Sequence, residues 1–331
     1  MKNTIIALLA LIMALTFAAC SSSGTQETKV LGIVIPNATH DFMAESIRHA
    51  EAGAKEMAQT FGVEYRLLIS ESSAEQAQQI DTLINEKVDA LVLWPHNGEE
   101  LKDSTERIGA AGIPLVVYDR LIPDFTPTAW VMGDNEGLGR LAGEYFSRFF
   151  ADELANGEVY YLEFKGDTST VPKQRSGGFH ERLHNSFKRV GEPFITYYQR
   201  QTAMEQMAEF LTSNPDAEKV QAIFTHDDEV ALGILDAIKN HGDALNIRLI
   251  SGVSGDRNYL DTFAPVSEQF GIAQVTYEYS PSMVRNAVEA GMRLLAGEDL
   301  SGLILVPTFE VDNQNEAEYR NSEVYITRYS Q

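Results

Sequence analysis

The sequence predicts an α/β protein built from two doubly wound lobes, each around a parallel sheet. Short apolar runs rich in β-branched residues alternate with segments of helical periodicity along most of the 331 residues. Strands buried on both faces and the helices that cover them produce this pattern. The alternation stops at Asn156-Gly157 and then starts again. Two such series, each of about 130 residues, have the usual size of domains and therefore predict two lobes.

The first series predicts five strands with helices between them. Val30–Ile35 is a continuous apolar run of the kind found in a central parallel strand. The other predicted strands are Val63–Ser70, Ala90–Trp94, Pro114–Tyr118 and Ala129–Gly133. The predicted helices are Asp41–Thr60, Ala74–Glu86, Glu99–Ala111 and Leu138–Phe150.

The second series predicts five more strands, at Val159–Phe164, Phe194–Gln199, Ala222–Thr225, Arg248–Gly252 and Ile272–Val275. The predicted helices are Pro172–Arg189, Ala203–Ser213, Glu229–His241, Arg257–Phe263 and Ser280–Ala296. An extended tail, Leu303–Val311, and a polar C-terminus follow. Asp312–Glu316 alternates oxygen ligands but lacks the central glycine and terminal glutamate of a calcium loop, so we expect a solvated tail there.

The N-terminus has the layout of a secretory signal. Residues 1–19 contain a lysine near the start, an apolar run and small residues at the end. The small residues directly precede Cys20, the only cysteine, and resemble the lipobox of bacterial lipoproteins, in which that cysteine carries the lipid. Residues 20–28 are small and polar, as in a flexible tether. The alternative is an ordinary signal peptide with an incidental cysteine.

The formal net charge of −22 argues against a nucleic-acid partner. Binding to nucleic acid depends on clustered Lys and Arg that displace phosphate counterions. A zwitterionic or neutral small ligand, or a basic partner, remains compatible with this charge.

Candidate binding residues follow from the positions of the strand ends, because ligands of open parallel sheets bind outside the carboxyl ends of the strands. This rule selects polar and aromatic side chains that suit a sugar, whose hydroxyls donate and accept and whose C–H face packs on a ring. Asp119-Arg120 is the sharpest pair, since a carboxylate and a planar guanidinium provide fixed acceptors and donors; a surface salt bridge or turn is the alternative. Of Asp227 and Asp228, we expect one to cap the following helix and the other to face the cleft.

No catalytic grouping is recognisable in the sequence. It contains neither HExxH nor GxSxG, and no histidine pair has metal-ligand spacing. We therefore predict no catalytic residue, no metal and no cofactor.

From Lys29 to Val311 the chain resembles the type I periplasmic sugar-binding proteins of ABC transporters, in their ribose and galactofuranose branch. The resemblance rests on the order and spacing of LGIVIPNATHDFM, IPLVVYDR, GDNEGLGRLAGEYF, QRSGGF, FTHDDEVALGILDAI and EYSPSM. It implies the type I periplasmic binding protein fold, with two lobes joined by a three-strand hinge. The implied N-terminal lobe is 29–133 plus 279–307, and the C-terminal lobe is 134–278 plus 308–331.

The resemblance also implies roles for individual residues. Phe42 matches an aromatic that stacks on the sugar ring, and Asp119 and Arg120 match the pair that grips its hydroxyls. His40, Ser254 and Glu278 stand where the ribose type has Asn, Asp and Gln, respectively. Together with the strand-end candidates, the predicted ligand-binding set is Asn37, His40, Phe42, Trp94, Asp119, Arg120, Arg175, Tyr198, Asp227, Ser254 and Glu278.

The implied function is a monomeric extracytoplasmic receptor that closes around a pentose, hexose or furanose and delivers it to an ABC permease. The alternative is a ligand-sensing receptor, for a sugar or an autoinducer-type furanosyl ligand, that serves a membrane histidine kinase or chemoreceptor. An enzyme is the third hypothesis, against which stands the lack of any recognisable nucleophile–base pair.

Overall fold

Two sheets organise the structure, a computed structural model that describes residues 28–242 and 245–330. The predicted signal segment, Cys20 and residues 21–27 of the predicted tether lie outside the described residues. The strands are β1 (Val30–Pro36), β2 (Glu64–Ser70), β3 (Ala90–Leu93), β4 (Leu115–Tyr118), β5 (Ala129–Gly133), β6 (Val159–Lys165), β7 (Phe187–Arg189), β8 (Phe194–Ile195), β9 (Val220–Thr225), β10 (Leu249–Ser251), β11 (Ala273–Tyr277), β12 (Gly302–Val306) and β13 (Glu310–Asp312).

The α-helices alternate with these strands. They are α1 (Asp41–Phe61), α2 (Ser73–Asn85), α3 (Lys102–Ala110), α4 (Asn135–Phe149), α5 (Ala151–Leu154), α6 (Thr170–Arg182), α7 (Arg200–Ser213), α8 (Asp228–His241), α9 (Arg257–Leu260), α10 (Phe263–Phe270), α11 (Val284–Leu295), α12 (Glu316–Tyr319) and α13 (Glu323–Tyr329). Short 3₁₀ turns at Glu99–Leu101, Ala217–Lys219 and Pro281–Met283 complete the set.

The strand order confirms the prediction of two α/β lobes with parallel sheets. The first sheet has the order β12-β5-β4-β3-β1-β2, and all its pairs are parallel. The second has the order β13-β11-β10-β9-β6-β7, with β8 also paired to β6. Only β13, among the described strands, runs antiparallel to its neighbour.

The chain passes between the two sheets three times. After β5 it enters α4, which packs against α6 of the second lobe; after β11 it returns to α11, which packs against α1 of the first. The third passage connects β12 of the first sheet to β13 of the second. The cleft between the lobes is therefore bordered by three separate connections.

The first sheet is covered on both faces, which explains the unbroken apolar run of β1. Leu31, Ile33 and Ile35 face one core cluster together with α1 and α11. Val34 faces the opposite cluster, beside α2 and α3. The side chains on both faces of this strand are therefore buried.

Two predicted elements of the second lobe end earlier than expected. The helix predicted to reach Arg189 ends at Arg182, because Phe187 turns into the core and forms β7. Its ring packs edge-on against Phe150 and Tyr161. The strand predicted over Phe194–Gln199 has two residues, since Tyr197 and Tyr198 adopt left-handed backbone angles that no strand accommodates.

The expectation of a solvated tail at Asp312–Glu316 is wrong. Asp312 belongs to β13, and its carboxylate accepts a hydrogen bond from the Tyr145 hydroxyl at 3.1 Å. Two short helices, α12 and α13, follow, and their tyrosines Tyr319 and Tyr325 lie in the core of the second lobe. The sequence prediction also missed α10, because it ended the preceding helix at Phe263.

None of the helices within residues 28–242 and 245–330 is long and apolar enough to cross a membrane.

The contact between α4 and α6 depends on glycine at 139. A Cβ there would lie 2.2 Å from the Arg175 carbonyl oxygen and 2.7 Å from the Phe179 nitrogen. We expect Gly139→Ala to lower the free energy of unfolding by about 1–3 kcal/mol, because the two backbones must separate. Urea unfolding followed by circular dichroism measures this loss.

Gly177→Ala is the matched control, since Gly177 lies on α6 with open space around it. It should raise stability by about 0.5–1 kcal/mol through helix propensity. Equal effects of the two substitutions would contradict the packing argument.

Candidate functional site

A cavity lies between the lobes, at the carboxyl ends of strands from both sheets. It contains about 450 Å³ of empty space, including its open mouth. Its lining combines aromatic rings with charged and hydroxyl side chains: His40, Phe42, Met43, Trp94, Asp119, Arg120, Ser169, Val171, Arg175, Tyr198, Asp227, Val253, Ser254 and Tyr279.

Asp119 forms the floor of the cavity on the side of the first lobe. It follows β4 in a left-handed conformation with φ of 63°, which aspartate tolerates better than most residues. Trp94, at the end of β3, donates its indole N–H to Asp119 Oδ2 at 3.1 Å. The Tyr279 hydroxyl donates to Oδ1 at 2.8 Å. Since a carboxylate has about four acceptor sites, Asp119 retains capacity for a ligand hydroxyl.

Tyr279 joins this floor to the hinge. It lies just beyond β11, on the second passage between the lobes, and its hydroxyl accepts a bond from the Asn135 side chain at 3.3 Å. Glycine at 133 makes room for the ring, because a Cβ there would lie 2.2 Å from Tyr279 Cε2. The first two passages between the lobes are therefore in direct contact beneath the cavity.

Arg175, on α6, extends the same network into the second lobe. Its Nε donates to Asn135 Oδ1 at 2.9 Å, and its Nη1 donates to the His226 carbonyl at 2.6 Å. The guanidinium lies over the Tyr279 ring, 4.5 Å from the centroid, in cation–π geometry. Arg175 is 4% exposed, and these contacts fix its orientation toward the cavity.

An aromatic contact closes the cavity across the cleft. The His40 ring, from the first lobe, stacks on Tyr198 of the second at a centroid distance of 4.9 Å. Gly166 underlies Tyr198, since a Cβ there would overlap the ring. Burial, and then the charge of Arg120, lower the pKa of His40 to about 4, so its imidazole is neutral at pH 7 and both donates and accepts hydrogen bonds.

Arg120 is oriented by backbone rather than by a carboxylate. Its Nη1 donates to the carbonyl oxygens of His96 and Pro95 at 2.8 and 3.3 Å. The guanidinium has five N–H donors, so others are available to a ligand. The predicted pair Asp119-Arg120 thus lies at the cavity with both side chains held by different partners.

The prediction that one of Asp227 and Asp228 caps the helix and the other faces the cleft is wrong. Asp227 does both: its Oδ1 accepts from the Glu229 N–H at 2.8 Å, and its side chain lines the cavity. Asp228 lies behind it, fully buried, and accepts from the Thr276 hydroxyl at 2.7 Å and the Asp256 N–H at 2.6 Å. Asp227, the second residue after the end of β9, is the one that reaches the cavity.

Two residues of the predicted set do not line the cavity. The Asn37 amide turns away and donates to both carboxylate oxygens of Glu71 at 2.9 and 2.8 Å. Glu278 is buried on the hinge side and accepts from the Tyr319 hydroxyl. The other nine predicted residues do line it.

Sequence reasoning missed several of the lining residues. Tyr279 is the most consequential, and the strand-end rule would have found it had the strand not been predicted to end at Val275 instead of Tyr277. Val253 lies just past the end of β10, and Ser169 and Val171 lie at the start of α6, but none of the three carries a chemical signal of its own. Met43 follows the aromatic Phe42 and contributes an apolar surface.

Within the described ranges, no group of three or more His, Cys, Asp or Glu side chains is arranged to hold a metal ion.

Comparison with known proteins places the chain in a family. The model of the periplasmic binding protein domain matches residues 31–299. The chain belongs to this family. The resemblance stated from the sequence motifs is thereby confirmed.

The relatives of this periplasmic binding protein include proteins named for sugars. A ribose import binding protein of Bacillus subtilis strain 168 is 27% identical over 290 residues, covering 87% of this chain and 88% of that protein. A D-xylose-binding periplasmic protein of Haemophilus influenzae is 26% identical over 250 residues, covering 72% and 71%.

A solved structure confirms the fold. A solute-binding protein of Bacillus halodurans C-125, solved with bound myo-inositol, superposes with a TM-score of 0.77 at 21% identity, covering 90% of this chain and 99% of that one.

The carboxyl of Asp227 makes the stability of this periplasmic binding protein depend on pH. Burial raises its pKa from 3.8 to about 7, so the folded state holds the proton more tightly than the unfolded state. The free energy of unfolding therefore falls as pH rises from about 4 to about 7, by roughly 3–5 kcal/mol from this group. Asp227→Asn, which preserves the cap, should flatten that fall in urea titrations across the same pH range.

Asp134→Asn, a second substitution at an N-cap carboxylate, controls for the change of cap itself. An Asp227→Asn profile that runs parallel to the wild type would contradict the burial of an ionisable carboxyl at this position.

Proposed function

We propose that this chain is an extracytoplasmic solute-binding lipoprotein that captures a monosaccharide, a pentose, hexose or furanose, between its lobes and delivers it to an ABC permease. The observation that supports it best is the juxtaposition of Asp119 and Arg175 with aromatic rings in one cavity. The sugar names of the relatives support the same substrate class.

The cavity chemistry fits a neutral polyol. Asp119 offers a carboxylate and Asp227 a carboxyl group as acceptors, while Arg120 and Arg175 offer planar donors. A sugar hydroxyl satisfies one of each, and charge-assisted hydrogen bonds of this kind are about twice as strong as neutral ones. Phe42 provides a flat apolar surface for the C–H face of the ring, and Tyr198 lines the same cavity.

Capture is coupled to closure because the binding groups come from both lobes. Asp119 and Arg120 belong to the first lobe, and Arg175 and Asp227 to the second. A ligand that contacts all four stabilises the closed arrangement by the contacts that the open one lacks. The three passages between the sheets act as the hinge, and the closed form is the one presented to the permease.

Substitutions on the two sides of the cavity test sugar binding. A panel of pentoses and hexoses, in excess over the dissociation constant, should raise the melting temperature of the wild type by several degrees, corresponding to about 3 kcal/mol at 100 times that constant. Asp119→Ala and Arg175→Ala should abolish the shift, because each removes a charged partner of the ring hydroxyls. Differential scanning fluorimetry measures it.

Arg182→Ala is the control, since Arg182 lies on the same helix as Arg175 and faces solvent. If Asp119→Ala and Arg175→Ala respond to a sugar as the wild type does, the assignment of the cavity is wrong. Turnover of any sugar by the purified protein would overturn the assignment as a binding protein.

The lipid anchor is the part of the proposal that rests on sequence. Cys20 directly follows the predicted signal segment, and acylation there would place the lobes at a membrane surface by a tether of about eight residues. A single acyl chain binds membranes reversibly, whereas the several chains of a lipoprotein hold it firmly.

Fractionation of cells that express the chain tests the anchor. The wild type should sediment with membranes and be released by detergent, whereas Cys20→Ser should appear in the soluble fraction. A wild-type chain that is soluble without detergent would favour the ordinary signal peptide.

A further inference from the structure

Arg328, three residues from the C-terminus, lies buried at the junction of the two lobes. It belongs to α13, which Tyr325 anchors in the core of the second lobe. The Arg328 side chain is only 3% exposed. A charged side chain so thoroughly removed from water requires partners on several sides.

Two of its partners belong to the second lobe. Its Nη1 donates to the carbonyl oxygen of Ser254 at 2.9 Å and to the Ser254 hydroxyl at 3.1 Å. Its Nη2 donates to Asp256 Oδ2 at 2.9 Å. Ser254 lines the cavity and has a φ of 130°, a backbone conformation that side-chain-bearing residues rarely adopt. Arg328 therefore holds a strained segment of the cavity wall.

The third partner belongs to the first lobe. Nε and Nη2 of Arg328 both reach Glu45 Oε2 on α1, at 2.8 and 2.7 Å. One turn further along α1 lies His49, which is buried and close enough to Arg328 for the guanidinium charge to act on its imidazole. The side chain of Arg328 thus attaches α13 to α1 across the cleft.

We propose that Arg328 is a positioning residue that fixes Ser254 in the cavity wall and ties the two lobes together before a ligand arrives. The planar fork of a guanidinium can serve acceptors in three directions at once, whereas the compact ammonium of lysine cannot. The tie populates the closed arrangement in the free protein, and the apparent affinity for a ligand rises in proportion to that population. Only this last consequence rests on the proposed function.

Substitution of Glu45 isolates the tie between the lobes. Glu45→Gln leaves the contacts of Arg328 within the second lobe intact and changes a partly exposed position, so the fold should be preserved. Glu51→Gln is the matched control, because Glu51 is an exposed carboxylate on the same helix. Spin labels on cysteines at exposed Ala74 of α2 and Gln201 of α7, in a Cys20→Ser background, report the distance between the lobes by pulsed electron resonance.

Without any sugar present, the wild type and Glu51→Gln should show a component at the distance of the closed structure. Glu45→Gln should lower the ratio of closed to open forms about fivefold. A wild type that is entirely open, or a Glu45→Gln distribution that equals the wild type, would overturn the proposal. The distance measurement contains no sugar. It therefore tests the tie between the lobes even if the protein proves not to bind sugars.

Substitution of Arg328 tests whether the same contact is responsible. Arg328→Gln should open the lobes at least as much as Glu45→Gln, and Arg328→Lys should restore the closed component only in part. Arg320→Gln is the control, because Arg320 pairs with Asp261 and Glu316 inside the second lobe. Adding Glu45→Gln to Arg328→Gln should produce no further opening, and additive effects would show that the two residues act separately.

Discussion

A single buried hydrogen-bond network joins the two lobes beneath the cavity, and the geometry of the site depends on it. It runs from Trp94 through Asp119 and Tyr279 to Asn135 and Arg175. Each of these residues is buried, so an unmade bond would leave a polar group without water and cost about 1–3 kcal/mol. The loss of any one of these bonds is therefore costly, and the network fixes the orientations of Asp119 and Arg175 together.

The position of this network would allow the lobes to move, as the proposed closure requires, without disrupting the site. Asn135 and Tyr279 lie on the first and second passages between the sheets, so they are close to the axis about which the lobes would turn. Contacts across the cleft, such as His40 on Tyr198, would change when the cleft opens. Domain closure commonly concentrates its backbone changes in a few residues at such connections.

The sequence allowed the lobes, most strands and most of the cavity to be predicted, because these follow from local patterns. The run at Val30–Ile35 and the side chains that follow β3 and β4 are examples. Asn37 was predicted from its strand-end position and Glu278 from the family resemblance. Neither determines the direction of a side chain, which here depends on Glu71 and Tyr319. Long-range partners of this kind leave no periodic signal in a sequence.

The C-terminal region is a second case in which long-range contacts could not be predicted from the sequence. Residues 312–330 are rich in charged and polar side chains, which by composition indicate a solvated tail. Their tyrosines nevertheless pack against arginines, as Tyr329 does against Arg257 at 4.0 Å, and Arg328 reaches the other lobe. Tyrosine and arginine count as polar residues in a composition, but their rings and side-chain stems can be buried against each other. A polar composition therefore does not exclude a packed segment.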